Sequence, residues 1–221
     1  RLIFAAPQAS TAQIAPADPA YFAISADSTG TGTPLVLASY PGVFCHGSLD
    51  FGTRFMLQTM QIPAPAGSSD TLNILDLGCG TGALGLSAAQ RLRENAPARA
   101  VVVTFIDESF AAIASVNASL ERLPAAPGHH YRTLATHCLE GIENNSQDLI
   151  LNNPPFHDAG ARTASIALEM FRESKRVLKR GGQLQVVANR HLGYQRRLRD
   201  LFGGCETLGA NSKFVVLRAS K

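Results

Sequence analysis

The sequence predicts an α/β protein, a doubly wound sheet with right-handed crossovers and a short β-hairpin appended at its N-terminal side. Three observations predict it. From Asn73 onward, short apolar runs alternate with stretches of helical period, the signature of strand–helix–strand units. The run Ala100–Ile106 is β-branched and apolar on both faces, as in a parallel strand covered on each side. The chain has 221 residues, enough for one large domain, or one domain with an appendage, that buries a full core.

The elements follow in order. Residues 1–19, rich in Ala, Pro and Gln, read as a loose lead-in. Tyr21–Ser25 and Pro34–Ser39 are β-like runs around the Gly-rich turn Ser28-Thr-Gly-Thr-Gly-Thr33, a hairpin pattern. Pro41-Gly42 breaks the chain. Leu49 to Met60 shows a helix-like period, and Ile62–Asp70 is a linker rich in Pro, Gly and Ser. Ile74–Leu77 is a strand, and Leu84, Ala88 and Leu92 mark the helix after it. Ala100–Ile106, Tyr131–Leu134 and Asp148–Leu151 are the next strands, with a helix over Phe110–Leu120. Ile166, Met170, Phe171, Val177 and Leu178 outline a long helix that Gly181-Gly182 should stop. Gln183–Ala188 is a strand, Leu192–Phe202 a basic helix, and Glu206–Leu208 with Phe214–Arg218 an antiparallel pair closing the sheet. The organisation is thus residues 1–40, lead-in and hairpin, and residues 41–221, the main α/β domain.

Apolar residues make up 45% of the chain and charged residues 17%, which excludes a disordered protein. The longest apolar run is far below a membrane span, which excludes a helical membrane protein. Arg1–Ala6 is too short for the apolar core of an export signal, and an opening Arg in place of Met fits a fragment or a processed chain. Cys45, Cys79, Cys138 and Cys205 form neither a CxxC pair nor a zinc set, so no metal is expected and scattered thiols point to a reducing cytoplasm. A monomer is expected. Charge is segregated: residues 172–221 hold 12 Lys and Arg against 3 Asp and Glu, the rest 8 against 14. A basic C-terminal part on an acidic body implies an anionic partner such as nucleic acid.

Two constellations carry chemistry. Asp76-Leu-Gly78-Cys79-Gly80-Thr-Gly82 follows a strand and opens a helix, so a ligand can lie against bare backbone at a helix N-terminus. The spacing is GxGxG, not the GxGxxG of dinucleotide sites, and the acid before it suits an amine-bearing ligand. Asp107 ends the next strand, where a carboxylate can accept from both hydroxyls of a ribose. Together they fit an adenosine with an amino-acid tail. The second constellation, Asn153-Pro154-Pro155-Phe156, falls at the same sheet edge. An exocyclic base amine is a poor nucleophile because its lone pair is delocalised. The Asn153 side-chain oxygen and the Pro154 carbonyl can hold its two hydrogens and aim the lone pair, while Phe156 stacks on the base. His157 is a further residue at the substrate.

These motifs resemble motif I, its following acid, and motif IV of class I S-adenosylmethionine-dependent methyltransferases. Pro41-Gly-Val-Phe44, Leu49-Asp50-x-Gly52, Asn152-Asn-Pro-Pro-Phe-His157 and Asn189-Arg-His-Leu192 are similar to the bacterial ribosomal RNA guanine-N2 methyltransferases. The tail Asn211-Ser-Lys-Phe-Val-Val-Leu-Arg218 is more similar to the large-subunit enzymes. The resemblance runs from about residue 38 to the end. It implies a seven-stranded Rossmann-like sheet, methyl transfer to the guanine 2-amino group, and S-adenosylhomocysteine as product. It also implies that Asp76, Gly78, Cys79, Gly80, Gly82, Asp107, Glu108, His137, Cys138 and Asn153 bind the cofactor. Arg190, Tyr194, Arg196 and Arg197 would bind ribosomal RNA or a ribosomal subunit, with Tyr194 stacking on a base. Relatives tend to have a Ser-Arg pair where this chain has Cys45-His46. Two other readings stay open: methylation of an adenine or glutamine nitrogen, whose enzymes usually carry Tyr at the position of Phe156, and a non-catalytic RNA-binding domain.

Overall fold

A computed structural model of the chain describes residues 18–64, 71–155 and 161–221. Most of the lead-in, most of the Ile62–Asp70 linker, and the pair Phe156 and His157 lie outside the described residues. In chain order the elements are β1 (Ala20–Ile24), α1 (Ala26–Thr29), β2 (Leu35–Ser39), α2 (Phe51–Thr59), β3 (Thr71–Leu77), α3 (Ala83–Asn95), β4 (Ala100–Asp107) and α4 (Phe110–Leu120). Then come β5 (His129–Ala135), β6 (Gln147–Asn152), α5 (Ala161–Val177), β7 (Leu178–Asn189), α6 (Tyr194–Phe202), β8 (Glu206–Ala210) and β9 (Phe214–Ser220).

The main sheet has seven strands in the order β5-β4-β3-β6-β7-β9-β8. The first five run parallel, and β9 is antiparallel to both β7 and β8. The seven-stranded expectation and the closing antiparallel pair are borne out. Period-two alternation divides the core. Ile74, Val103, Phe105 and Leu151 face α2, α3 and α4, whose Met56, Leu57, Leu84 and Val116 cover them. Leu75, Leu77, Ile106 and Ile150 face the opposite layer, where Phe171, Tyr194 and Leu198 lie. Chain order reverses between β3 and β6, so the carboxyl ends of β3, β4 and β6 open a crevice of the kind that takes ligands.

The hairpin is present, with the helical turn α1 inserted before its glycines. Its edge is not left bare. Ala38 N–H donates to Ser119 Oγ at 2.8 Å and Tyr40 N–H to Ser115 Oγ at 2.9 Å, both on α4. Leu35 and Leu37 enter the same core as α3 and α4, so the hairpin is integral to the main fold.

One boundary needs correction. Helix α5 ends at Val177, and β7 begins at once with Leu178 opposite Gln147. The pair Gly181-Gly182 does not stop the helix. It forms an excursion within β7, because Gln147 pairs with Leu178 while Leu149 pairs with Gln183. A Cβ at Gly182 would come within 2.9 Å of the Gln147 carbonyl oxygen, so the bulge closes only on glycine. Of the cysteines, Cys79 and Cys138 are buried, Cys45 and Cys205 are half-buried, and all four are free. Among the described residues no helix is long and apolar enough to cross a membrane.

Candidate active site

The crevice is a cavity of about 420 Å³, within the usual range of small-molecule sites. Its floor is the glycine turn after β3, its walls the ends of β4 and β6, and its roof the segment Gly42–Asp50. Of the expected cofactor residues, Asp76, Gly78, Cys79, Gly80, Asp107, Glu108, His137, Cys138 and Asn153 all line it, as does Pro154.

The turn explains its own composition. Gly78, Gly80 and Gly82 have φ of 67°, 53° and 78°, the left-handed region that glycine enters without penalty. A Cβ at Gly80 would meet nothing within 4 Å, so open space lies directly above that backbone. Beneath it Asp76 is 1% exposed, and its Oδ2 accepts from Gly85 N–H at 2.8 Å. Burial pushes the Asp76 carboxyl up to about 8; the Gly85 N–H opposes the shift and the negative Asp107 adds to it. Such a carboxyl becomes a stable anion when a cationic group is brought against it. Asp107 braces the turn: Oδ2 accepts from Gly80 N–H and Oδ1 from Ser109 N–H, both at 2.9 Å. Each oxygen keeps a lone pair for a ligand hydroxyl.

Asn153 is held by one end. Its Nδ2 donates to Thr53 Oγ1 at 2.9 Å and to Asp50 Oδ2 at 3.2 Å. Its Oδ1 is buried and has no hydrogen-bond partner among the described residues. Asp50 also caps α2, accepting from Gly52 N–H at 2.8 Å and Thr53 N–H at 3.2 Å. The preceding Asn152 is fully buried and fastens β6 to β3 through Nδ2 to the Leu77 carbonyl at 2.9 Å. The roles of Asp50 and Thr53 escape a reading of the motifs alone. The available signal is an acid placed just before a helical period, which marks a cap.

On the far wall, His137 sits between two carboxylates. Its Nδ1 lies 2.5 Å from Glu108 Oε1 and its Nε2 3.1 Å from Glu169 Oε1. The bonds to Glu108 and Glu169 raise its pKa above the ordinary imidazole value. Cys138 adopts φ 47°, and burial lifts its thiol to about 11, so it presents backbone and a neutral sulfur, not a thiolate. Glu169 and Met170 of α5 complete this wall. In the roof, Cys45 lines the cavity, while the His46 ring turns back to Ser39 Oγ at 3.0 Å and the Tyr40 carbonyl at 3.1 Å.

The expected RNA residues separate. Tyr194 is 4% exposed and packs edge-on against Phe171, with ring centroids 5.1 Å apart. It is a core residue and cannot stack on a base, which corrects the expectation. Arg190 lies not on the basic helix but in a 3-10 turn, Arg190–Leu192, and donates to the Asn211 carbonyl at 3.1 Å. Gly193, at φ 65°, separates that turn from α6. Arg196 and Arg197 are exposed on the outer side of α6, outside the cavity lining. Phe156 and His157 lie outside the described residues.

A glycine turn under a buried acid, a second acid at the next strand end, and an Asn-Pro-Pro segment opposite define a methyltransferase-type site. Residues 34–218 match the Methyltransferase small domain family, and the chain belongs to it. Among curated relatives it is 44% identical over 192 residues to ribosomal RNA large subunit methyltransferase G of Aeromonas hydrophila, covering 86% of this chain and 47% of that protein. It is 41% identical over 221 residues to the protein of the same name from Streptomyces griseus, covering 100% of this chain and 54% of that one. The chain thus spans about half the length of the curated relatives it matches. Among solved structures, the T. Thermophilus 16S rRNA N2 methyltransferase RsmC, in complex with AdoMet and guanosine, superposes with a TM-score of 0.73 at 25% identity. That match covers 93% of this chain and 51% of the other.

Proposed function

We propose that the chain transfers the methyl group of S-adenosylmethionine (AdoMet) to the exocyclic 2-amino group of a guanine in large-subunit ribosomal RNA. The observation that carries this reading is Asn153: a residue that lines the cavity, whose buried amide oxygen has no partner among the described residues and whose nitrogen is held by Thr53 and Asp50. An unpaired buried acceptor is expensive to keep, and an amine hydrogen satisfies it. The names of the relatives, and the AdoMet and guanosine bound to the solved neighbour, support the same acceptor and cofactor.

The residues present fit AdoMet. The open backbone at Gly80 leaves room for a chain lying flat on the turn, Asp76 and its surroundings suit an ammonium, and Asp107 suits ribose hydroxyls. When bound, AdoMet supplies an electrophilic methyl group on a sulfonium. The chain's own part is positioning. Asn153 Oδ1 and the Pro154 carbonyl accept the two amine hydrogens and turn the nitrogen lone pair out of conjugation with the ring. As the amine gains positive charge, both acceptors strengthen, which favours the transition state over the ground state. The exposed Arg196 and Arg197 of α6 suit RNA phosphates. The setting would be the cytoplasm, with ribosomal RNA or a ribosomal subunit as substrate.

Calorimetric titration with AdoMet, followed by labelled-methyl transfer to unmodified 16S and 23S rRNA, tests the proposal. Binding with label confined to guanine N2 of 23S rRNA is expected. Label on 16S alone, or on adenine, moves the acceptor, and no AdoMet binding overturns the reading.

A further inference from the structure

We infer that the groove between α2 and the β8–β9 turn is a second nucleic-acid contact, which grips the single-stranded RNA next to the target nucleotide. The inference rests on the reading that the acceptor base belongs to an RNA.

The groove is built from two separate parts of the chain. Phe51, Arg54, Phe55 and Gln58 line one side, and Asn211 to Phe214 the other. Phe51, Arg54 and Gln58 recur at helical spacing on the exposed face of α2, Phe55 is partly buried against the core beside them, and Thr53, Met56 and Leu57 of the same helix are buried. Phe51 is 75% exposed, an unusual position for a phenylalanine on a helix whose other face is fully packed. The opposite side is preformed: Asn211 Oδ1 accepts from Lys213 N–H at 2.9 Å and from Phe214 N–H at 2.7 Å, which fixes the turn that carries Lys213.

Charge selects the occupant. Arg54 and Lys213 face this groove, neither makes an ion pair among the described residues, and no carboxylate lines it. Two cations without carboxylate partners among the described residues, Lys213 resting over the Phe214 ring at 5.2 Å, beside the exposed Phe51 match a phosphate backbone with an unstacked base. Placement selects the strand. Phe51 follows Asp50, and Asp50 and Thr53 hold Asn153, so the groove begins where the acceptor base would enter. The β8–β9 turn stands at the same sheet edge, because Phe214 pairs with Asn189 at the carboxyl end of β7. The segment Asn211-Ser-Lys-Phe214 thereby gains a role that the catalytic pocket does not give it.

The test compares the full chain with Arg54→Gln/Lys213→Gln and with Phe51→Ala and Phe51→Tyr. The readouts are affinity for transcribed 23S rRNA at several salt concentrations, AdoMet affinity and methyl transfer. Loss of two phosphate contacts should raise the RNA Kd about tenfold and flatten the slope of log affinity against log salt by about 1.4. Phe51→Ala should weaken RNA binding by about 5- to 100-fold and Phe51→Tyr should restore it. AdoMet affinity should not change. Variants with wild-type RNA affinity and slope overturn the groove, even where methyl transfer proceeds. Loss of RNA affinity in the variants of a chain that methylates no RNA sustains the groove and removes the proposed activity. A chain with no RNA affinity at all overturns both.

Discussion

Replacing Asp50 by Asn separates the two tasks of that carboxylate. Oδ1 provides the shorter cap bonds to α2, and Oδ2 accepts from the Asn153 amide at 3.2 Å and from Thr53 N–H at 3.3 Å. Asn is as good a cap as Asp, so the helix survives; the lost charge at its N-terminus costs below about 1 kcal/mol, a shift in Tm under about 4 °C. The contact to Asn153 does not survive. The new amide group points a donor at a donor, and Asn153 relieves the conflict by turning its own amide over. Thr53 tolerates the turn, because its hydroxyl can donate as readily as accept. The pocket then faces an N–H₂ where it had an acceptor. One hydrogen bond to an amine that is gaining charge is worth about 1.5–3 kcal/mol, so kcat should fall by about 10- to 150-fold. AdoMet affinity should hold, since Asp50 does not brace the glycine turn. Thermal melts, calorimetry and single-turnover methyl transfer read the three quantities separately. A folded Asp50→Asn protein with full kcat would refute the argument that Asn153 Oδ1 holds the amine.

Other expectations follow from the same geometry. Asn153→Ala should lower methyl transfer by about 10²–10³-fold and leave AdoMet binding largely intact; comparable kcat in calorimetrically competent protein would remove Asn153 from the chemistry. Asp107→Ala deletes the acceptor of the Gly80 N–H as well as a ribose partner, and should weaken AdoMet binding by about 1–3 kcal/mol by titration. The Asp76 carboxyl stands near 8 without a ligand, and an ammonium bound against it lowers that value. The protonated acid must then lose its proton on binding, so AdoMet affinity should rise with pH below 8, by up to about tenfold per unit, with proton release measurable in buffers of different ionisation enthalpy. Affinity independent of pH between 6 and 7.5 would place the ammonium elsewhere. Gly85→Ala would set a methyl 2.5 Å from the Phe105 ring and 3.1 Å from Asp76, and should lower stability by about 1–3 kcal/mol in a denaturant melt.

What was legible in the sequence depended on how local the determining physics is. The helix α4 follows its apolar period from Phe110 to Leu120, and Ser109 supplies the cap by accepting from Ala112 N–H at 3.3 Å. Strand β4 was evident because a parallel strand between two helical layers must be apolar on both faces. The glycine turn and Asp107 were legible because each sits at a strand end that the pattern itself marks. The start of β7 was not. A Gly-Gly pair after a helix reads as a stop, and only the pairing of Leu178 with Gln147 shows it to be a bulge. The burial of Tyr194 does have a signal in the sequence: Tyr194 and Leu198 step by four, and that apolar stripe outweighs the arginines between them. The bond from Asn153 to Asp50 spans 103 positions, and no local pattern announces it.

The charge count shows the same divide between composition and place. Much of the excess cation in residues 172–221 is structural. Arg176 donates to the carbonyls of Leu139 and Ile142 and to Glu173, closing the loop after β5. Lys179 pairs with the buried Asp148 at 2.7 Å, Arg218 pairs with Glu206, and Lys175 donates to the Leu201 carbonyl at 2.7 Å. These cations replace water with protein partners, so an approaching phosphate would compete with bonds already made. Arg196 and Arg197 on α6 point outward, and Lys213 stands at the groove. Arg54, from the acidic part of the sequence, joins them there only through the packing of α2 on β7 and β9. An RNA footprint is therefore set by which cations the fold leaves exposed, and the outer side of α6 and the Arg54–Lys213 groove are two such surfaces that net charge along the chain does not distinguish.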